Sequence, residues 1–213
     1  MERKHAFWLL TAVLILLLAL QITGAFDGIN RAVDLALPHS GSVVLLFTET
    51  GSLVAVTLYL LVMFLLDLRS EGHLDRITLD ASIAFFLSMV LVAVMKVAFA
   101  VPRPGGEEIS GGLVELLRNI EWLAFPSGHT ARAFVLAYFL SKRWKKFWPL
   151  WWGWALGIGL SRLFLHAHWF SDVLFSAFLG PWVALLVELT EDWWLPYYRA
   201  IVNALKLGVL DVE

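Results

Sequence analysis

Three stretches hold the side chains of this sequence that could do chemistry: Lys96 to Pro104 (KVAFAVPRP), Pro126 to His129 (PSGH) and Ser161 to Asp172 (SRLFLHAHWFSD). Together they suit the cleavage of a phosphate ester. His168 and Asp172 are four residues apart. In a helical or tightly turned segment the carboxylate accepts one imidazole N–H and leaves the other nitrogen bare, an oriented nucleophile. Arg162, six residues before His168, offers a planar fork to two phosphate oxygens. Lys96 precedes Arg103 by seven residues, and Pro102 and Pro104 bend or end any helix there, so both cations can turn onto one anion. In PSGH, Ser127 takes an N-cap position. Its hydroxyl and the free N–H groups of Gly128 and His129 then face the helix mouth, a phosphate cradle.

Each stretch also has a plainer reading. Lys96 can snorkel to headgroups, Arg103 can meet lipid phosphate nonspecifically, and a lone PSGH is an ordinary cap with an interfacial histidine. All three together favour the chemical reading. His166, two residues before His168, points elsewhere by helical spacing. A zinc site built from His166, His168 and Asp172 would use common ligands, but Lys96, Arg103 and Arg162 would repel the cation. The expectation is therefore a site with no metal and no cofactor.

These residues need elements to position them, and composition indicates which. With 60% hydrophobic and only 16% charged residues in 213, the chain is too apolar for a soluble domain and reads as a membrane protein. The absence of cysteine excludes disulfides, thiol catalysis and Cys-based zinc sites. Six stretches approach the roughly 20 residues that cross a hydrocarbon core of about 30 Å. They run approximately from Phe7 to Phe26, Val43 to Leu66, Leu79 to Val101, Ser127 to Leu140, Phe147 to Leu165 and Val173 to Thr190. The fold expected is all-α, a six-transmembrane-helix bundle forming one domain over 1–213, with its chemistry between 96 and 172. The first stretch reads as a retained anchor rather than a cleaved signal.

Alternate connections hold ten Lys and Arg residues (Arg3, Lys4, Arg69, Arg76, Lys142, Arg143, Lys145, Lys146, Arg199, Lys206) against three (Arg31, Arg103, Arg118). Both termini are therefore expected in the cytoplasm, with the protein in the cell membrane. Trp144, Trp148, Trp151 and Trp152, and later Trp193 and Trp194, fit an aromatic belt at the inner interface. The tail, 191–213, is expected at that interface, lying along it as an amphipathic helix from Pro196 to Glu213. In this frame all three chemical stretches reach one leaflet, the outer one. The glycine-rich connection from Gly105 to Phe125 lies beside them, either a mobile cover or a merely exposed loop.

The pattern K-x6-RP, PSGH, SR-x5-H-x3-D resembles the signature of the type 2 phosphatidic acid phosphatases, or lipid phosphate phosphatases, from Lys96 to Asp172. The resemblance implies a core shared with vanadium haloperoxidases, no metal requirement and a phosphohistidine intermediate. By that likeness His168 is the nucleophile, Asp172 its orienter and His129 the general acid. Lys96, Arg103, Ser127, Gly128 and Arg162 hold the phosphate. The partner expected is a lipid phosphate in the bilayer, not a nucleic acid. A polyprenyl diphosphate is favoured over phosphatidic acid or phosphatidylglycerophosphate. A lipid phosphotransferase using the same intermediate, and a noncatalytic carrier or lipid-binding protein, are the competing readings. One further charge stands out: Arg132, three residues after His129, requires a partner, either an ion pair with Glu49 or a second phosphate.

Overall fold

A computed structural model describes residues 2–38, 41–109 and 111–212. The chain is helical throughout: α1 (Glu2–Ile22), α2 (Asp27–Ala36), α3 (Ser42–Glu49), α4 (Leu53–Ser70), α5 (Arg76–Phe99), α6 (Leu113–Arg118), α7 (Gly128–Arg143), α8 (Trp148–Phe164), α9 (Phe170–Leu189) and α10 (Glu191–Ala204). Among the described residues, α1, α4, α5 and α9 are long and apolar enough to cross a membrane. Helices α7 and α8, at 16 and 17 residues, are shorter and occupy the fourth and fifth expected stretches.

Helix α7 is the centre of the bundle, packed against α5, α8 and α9. Its neighbours bury Ala131, Ala133, Phe134, Val135, Leu136, Ala137 and Phe139. That enclosure explains how a helix holding His129 and Arg132 sits in an apolar protein, since its polar groups face protein rather than lipid. A Cβ at Gly180 of α9 would lie 2.8 Å from the Ala131 carbonyl oxygen and 2.6 Å from Phe134 Cβ, so glycine is what lets the two backbones approach.

Two expectations are corrected here. The second apolar stretch is not one helix: Thr50, Gly51 and Ser52 donate N–H bonds to carbonyls three residues back, and Ser52 Oγ caps α4 by accepting the Ala55 N–H at 3.3 Å. Gly51 lies against Ile158, where a Cβ would come within 2.9 Å of its Cγ2. The polar run from Thr48 to Ser52 supplies the local hydrogen bonding that ends one helix and starts the next. The tail also departs from a continuous surface helix. After α10 it folds back, with Leu74 N–H donating to Val209 O, Tyr198 Oη to Leu210 O and Arg199 to Val212 O, and Val212 is buried. Trp193, Tyr197 and Ile201 remain exposed at four-residue intervals, as an interfacial helix requires.

At the end away from the chemical stretches, buried carboxylates are paired. Glu188 of α9 meets Lys142, Arg3 and Tyr138, while Asp67 of α4 meets Arg143 of α7 at 2.5 Å.

Candidate active site

The three chemical stretches are tied to one another through main-chain groups. Helix α5 ends at Ala100, whose φ of 47° is left-handed and turns the chain sharply before Pro102. The residues beyond run antiparallel to those preceding α7, with Ala124 N–H donating to Val101 O at 2.7 Å and a bridge between Pro102 and Leu123. Trp169 Nε1 donates to Pro102 O at 2.8 Å, and Ser127 N–H donates to Asp172 O at 3.4 Å. The third stretch thereby touches the other two, and the first is paired with the residues that lead into the second. Beneath them the Phe125 ring packs on Phe99 and Phe175, closing the floor with apolar contacts.

His168 lies in the short connection between α8 and α9, and its Nδ1 is 3.4 Å from Asp172 Oδ2. Asp172 is the third residue of α9, fully buried, and the same Oδ2 accepts the Trp169 N–H at 2.8 Å. The carboxylate is held by the backbone and in turn orients the ring, which leaves Nε2 as the free nitrogen. Burial, then Arg162, Lys96 and Arg103, push the His168 imidazole well below the ordinary histidine range, so it is neutral at physiological pH. His166 turns away, as its spacing indicated, to bond Asp34 of α2 at 2.7 Å.

Ser127 caps α7 by position, but its hydroxyl does not cap a backbone N–H; it accepts the Thr130 hydroxyl at 3.0 Å. The N–H groups of Gly128 and His129 have no partner among the described residues, and His129 Nε2 is buried and unpaired. A helix start with unused donors and a glycine is suited to an anion.

Lys96, Arg103, Gly128, His129, Arg132 and His168 line one cavity of about 400 Å³. Its wall continues down α5 through Ala93, Val92, Met89 and Ser88, with Leu53 of α4 opposite. Ser127, Asp172 and Arg162 are buried beside it. Arg162 donates to the Thr48 hydroxyl at 3.3 Å. Lys96 donates to the carbonyls of Leu123 and Ile120, and Arg103 to that of Glu121. The end of the connection, 120–123, is therefore bound to the two cations by main-chain oxygens. Arg132 and Glu49 form no ion pair, and Glu49 is exposed at the end of α3. Of the two readings of Arg132 in the sequence, the ion pair with Glu49 is thus not formed.

Among the described residues, no cluster of histidine and carboxylates could hold a metal ion. Sequence reasoning missed Asn30, Asp34 and Thr48, which sit on α2 and α3, outside the chemical stretches. Their only signal was polarity in otherwise apolar or amphipathic runs.

An all-helical membrane bundle whose three signature stretches converge on one cationic cavity defines a class, and the PAP2 superfamily model matches residues 77–194. The chain belongs to that superfamily. Its fold is similar to that of a transmembrane PAP2-type phosphatidylglycerolphosphate phosphatase from Bacillus subtilis, with a TM-score of 0.64 and 20% identity over 90% of this chain and 97% of the other. It is also similar to LpxE of Aquifex aeolicus, with a TM-score of 0.57 and 24% identity over 75% of this chain and 92% of that one.

Proposed function

We propose that the protein is a metal-independent lipid phosphatase working through a phosphohistidine at His168. The observation that carries this reading is the buried His168–Asp172 pair opening onto a cavity lined by Lys96, Arg103 and the unpaired His129. Phosphoryl transfer asks mainly for positioning and charge stabilisation. Lys96, Arg103, Arg162 and the free N–H groups of Gly128 and His129 hold the equatorial oxygens, while His168 Nε2 attacks phosphorus from one side. His129 protonates the leaving oxygen on the other. Lys96, Arg103 and Arg132 share the cavity with the His129 ring, and the negative charge of a bound phosphate offsets these cations and favours the protonated ring. Water then hydrolyses the phosphohistidine.

The apolar wall formed by Val92, Met89 and Leu53 suits a substrate whose tail stays in the bilayer. The substrate favoured is a polyprenyl diphosphate, with phosphatidic acid and phosphatidylglycerophosphate also accepted. The site faces the outer side of the cell membrane and both termini face the cytoplasm. Phosphate release from a panel of short-chain lipid phosphates and diphosphates in detergent tests the reading. Release from none of them refutes it, and transfer of the phosphoryl group to an added alcohol in preference to water would make the protein a phosphotransferase.

A further inference from the structure

A single phosphoryl group presents three equatorial oxygens during transfer, and Lys96, Arg103, Arg162 and the α7 N–H groups already match them. Arg132 is left over. It lies one turn along α7 from His129 and lines the same cavity. Among the described residues its guanidinium makes no hydrogen bond and no ion pair, and its Nε is buried without a partner. A Cβ at Gly128 would lie 3.1 Å from Arg132 Nη1, so the guanidinium folds back toward the start of α7 and the anion cradle. Glu49 is near enough to attract both Arg132 and Arg162 but pairs with neither. An unpaired guanidinium inside a helical bundle is costly, and it marks a site that an anion completes.

Resting on the phosphatase reading above, we infer that Arg132 is the specificity-determining residue of a second anion subsite, which takes the lipid-linked phosphate of a lipid diphosphate. Its position assigns it that place: the Arg132 guanidinium lines the cavity against Gly128, next to His129 on the leaving side, while His168 stands on the attacking side. His168 Nε2 bonds to the terminal phosphorus, the bond from that phosphorus to the bridging oxygen breaks, and the electron pair stays on the oxygen, which takes a proton from His129. The leaving group is a lipid monophosphate, whose charge falls beside Arg132. Water then adds to the phosphorus as His129 recovers a proton from it, the N–P bond breaks, and inorganic phosphate leaves. A lipid monophosphate substrate departs instead as an alcohol and offers Arg132 no anion.

The test compares Arg132→Gln with wild type on a short-chain polyprenyl diphosphate and the matching monophosphate in detergent. The diphosphate-to-monophosphate ratio of kcat/KM should fall about tenfold or more, as loss of one charge-assisted contact implies, and Arg132→Lys should restore part of it. Equal losses on both substrates, repaired by adding Glu49→Gln, would show a structural charge and overturn the inference. Should Arg132→Gln not fold, wild-type protein decides: methylenediphosphonate should inhibit about tenfold more tightly than methylphosphonate, and equal inhibition overturns the subsite. Wild-type protein that cleaves neither lipid removes the phosphatase reading itself, an outcome distinct from an unchanged substrate ratio.

Discussion

Asn30 of α2 and Ser171 of α9 exchange two hydrogen bonds of 3.0 Å: the Asn30 amide nitrogen donates to Ser171 Oγ, and the Ser171 N–H donates to the Asn30 carbonyl oxygen. Both residues are buried. With the Asp34–His166 bond four residues on, this pair clamps α2 across the connection that carries His168. A short amphipathic helix after the first span thus serves as a splint for His168, the nucleophile proposed above.

Asn30→Ala should therefore lower kcat more than it raises KM, since it leaves the phosphate cradle intact and loosens the attacking ring. The Ser171 N–H would be left buried and unpaired, which costs about 1 to 3 kcal/mol. Steady-state kinetics with thermal unfolding in detergent checks both effects. A variant with normal kcat would show that the clamp is dispensable for orientation.

Phosphoenzyme trapping addresses the covalent step. His168→Ala should abolish both turnover and acid-labile label after a brief quench with radiolabelled substrate. His129→Ala should slow departure of the leaving group and be partly rescued by a substrate with an activated one. Label retained on His168→Ala would assign the nucleophile elsewhere.

Chelators should leave activity intact if, as proposed, cations of the protein itself supply the charge stabilisation. Vanadate should inhibit, its five-coordinate geometry resembling the transition state. Activity lost in EDTA and restored by a divalent ion would require a different mechanism.

The pH dependence follows from the depressed His168 imidazole. Attack needs the neutral ring, so the acid limb of kcat/KM set by His168 should lie below the ordinary histidine value of 6.5. The sign for stability is the same: the unfolded chain takes up a proton at His168 as pH falls through about 6.5 while the folded protein does not, so stability is lost as pH falls below that value. His168→Asn should flatten this part of the curve. An unfolding midpoint as acid-sensitive in that variant as in wild type would exclude His168 as the source.

Sidedness can be read in right-side-out vesicles, where a membrane-impermeant lipid phosphate analogue should be hydrolysed without permeabilisation. The basis is the ten-to-three distribution of Lys and Arg. Activity that emerges only with detergent would invert the frame.

The signature residues were legible before folding because short-range chemistry carried them: four residues place Asp172 under His168, and a proline-bounded Ser-Gly-His places donors at a helix start. What joins the three stretches was not legible. The Ala124–Val101, Trp169–Pro102 and Ser127–Asp172 bonds use backbone groups or a tryptophan ring, which leave no mark in residue type. The break at Thr50 to Ser52 was hidden because apolar residues continue on both sides of it. Arg132 was visible as a charge in an apolar run, yet residue type alone does not tell whether Glu49 reaches it.

Helix α7 is fastened at both ends: at its start by the Ser127–Asp172 backbone bond, and about 24 Å away by the Lys142–Glu188 and Arg143–Asp67 pairs. A slip of one residue would rotate His129 and Arg132 by about 100° and take both out of the cavity. The carboxylates at the far face act as a gauge block for the reaction on the near one. Charge changes at Asp67 or Glu188, at the opposite end of α7 from the cavity, should thus register in the chemistry.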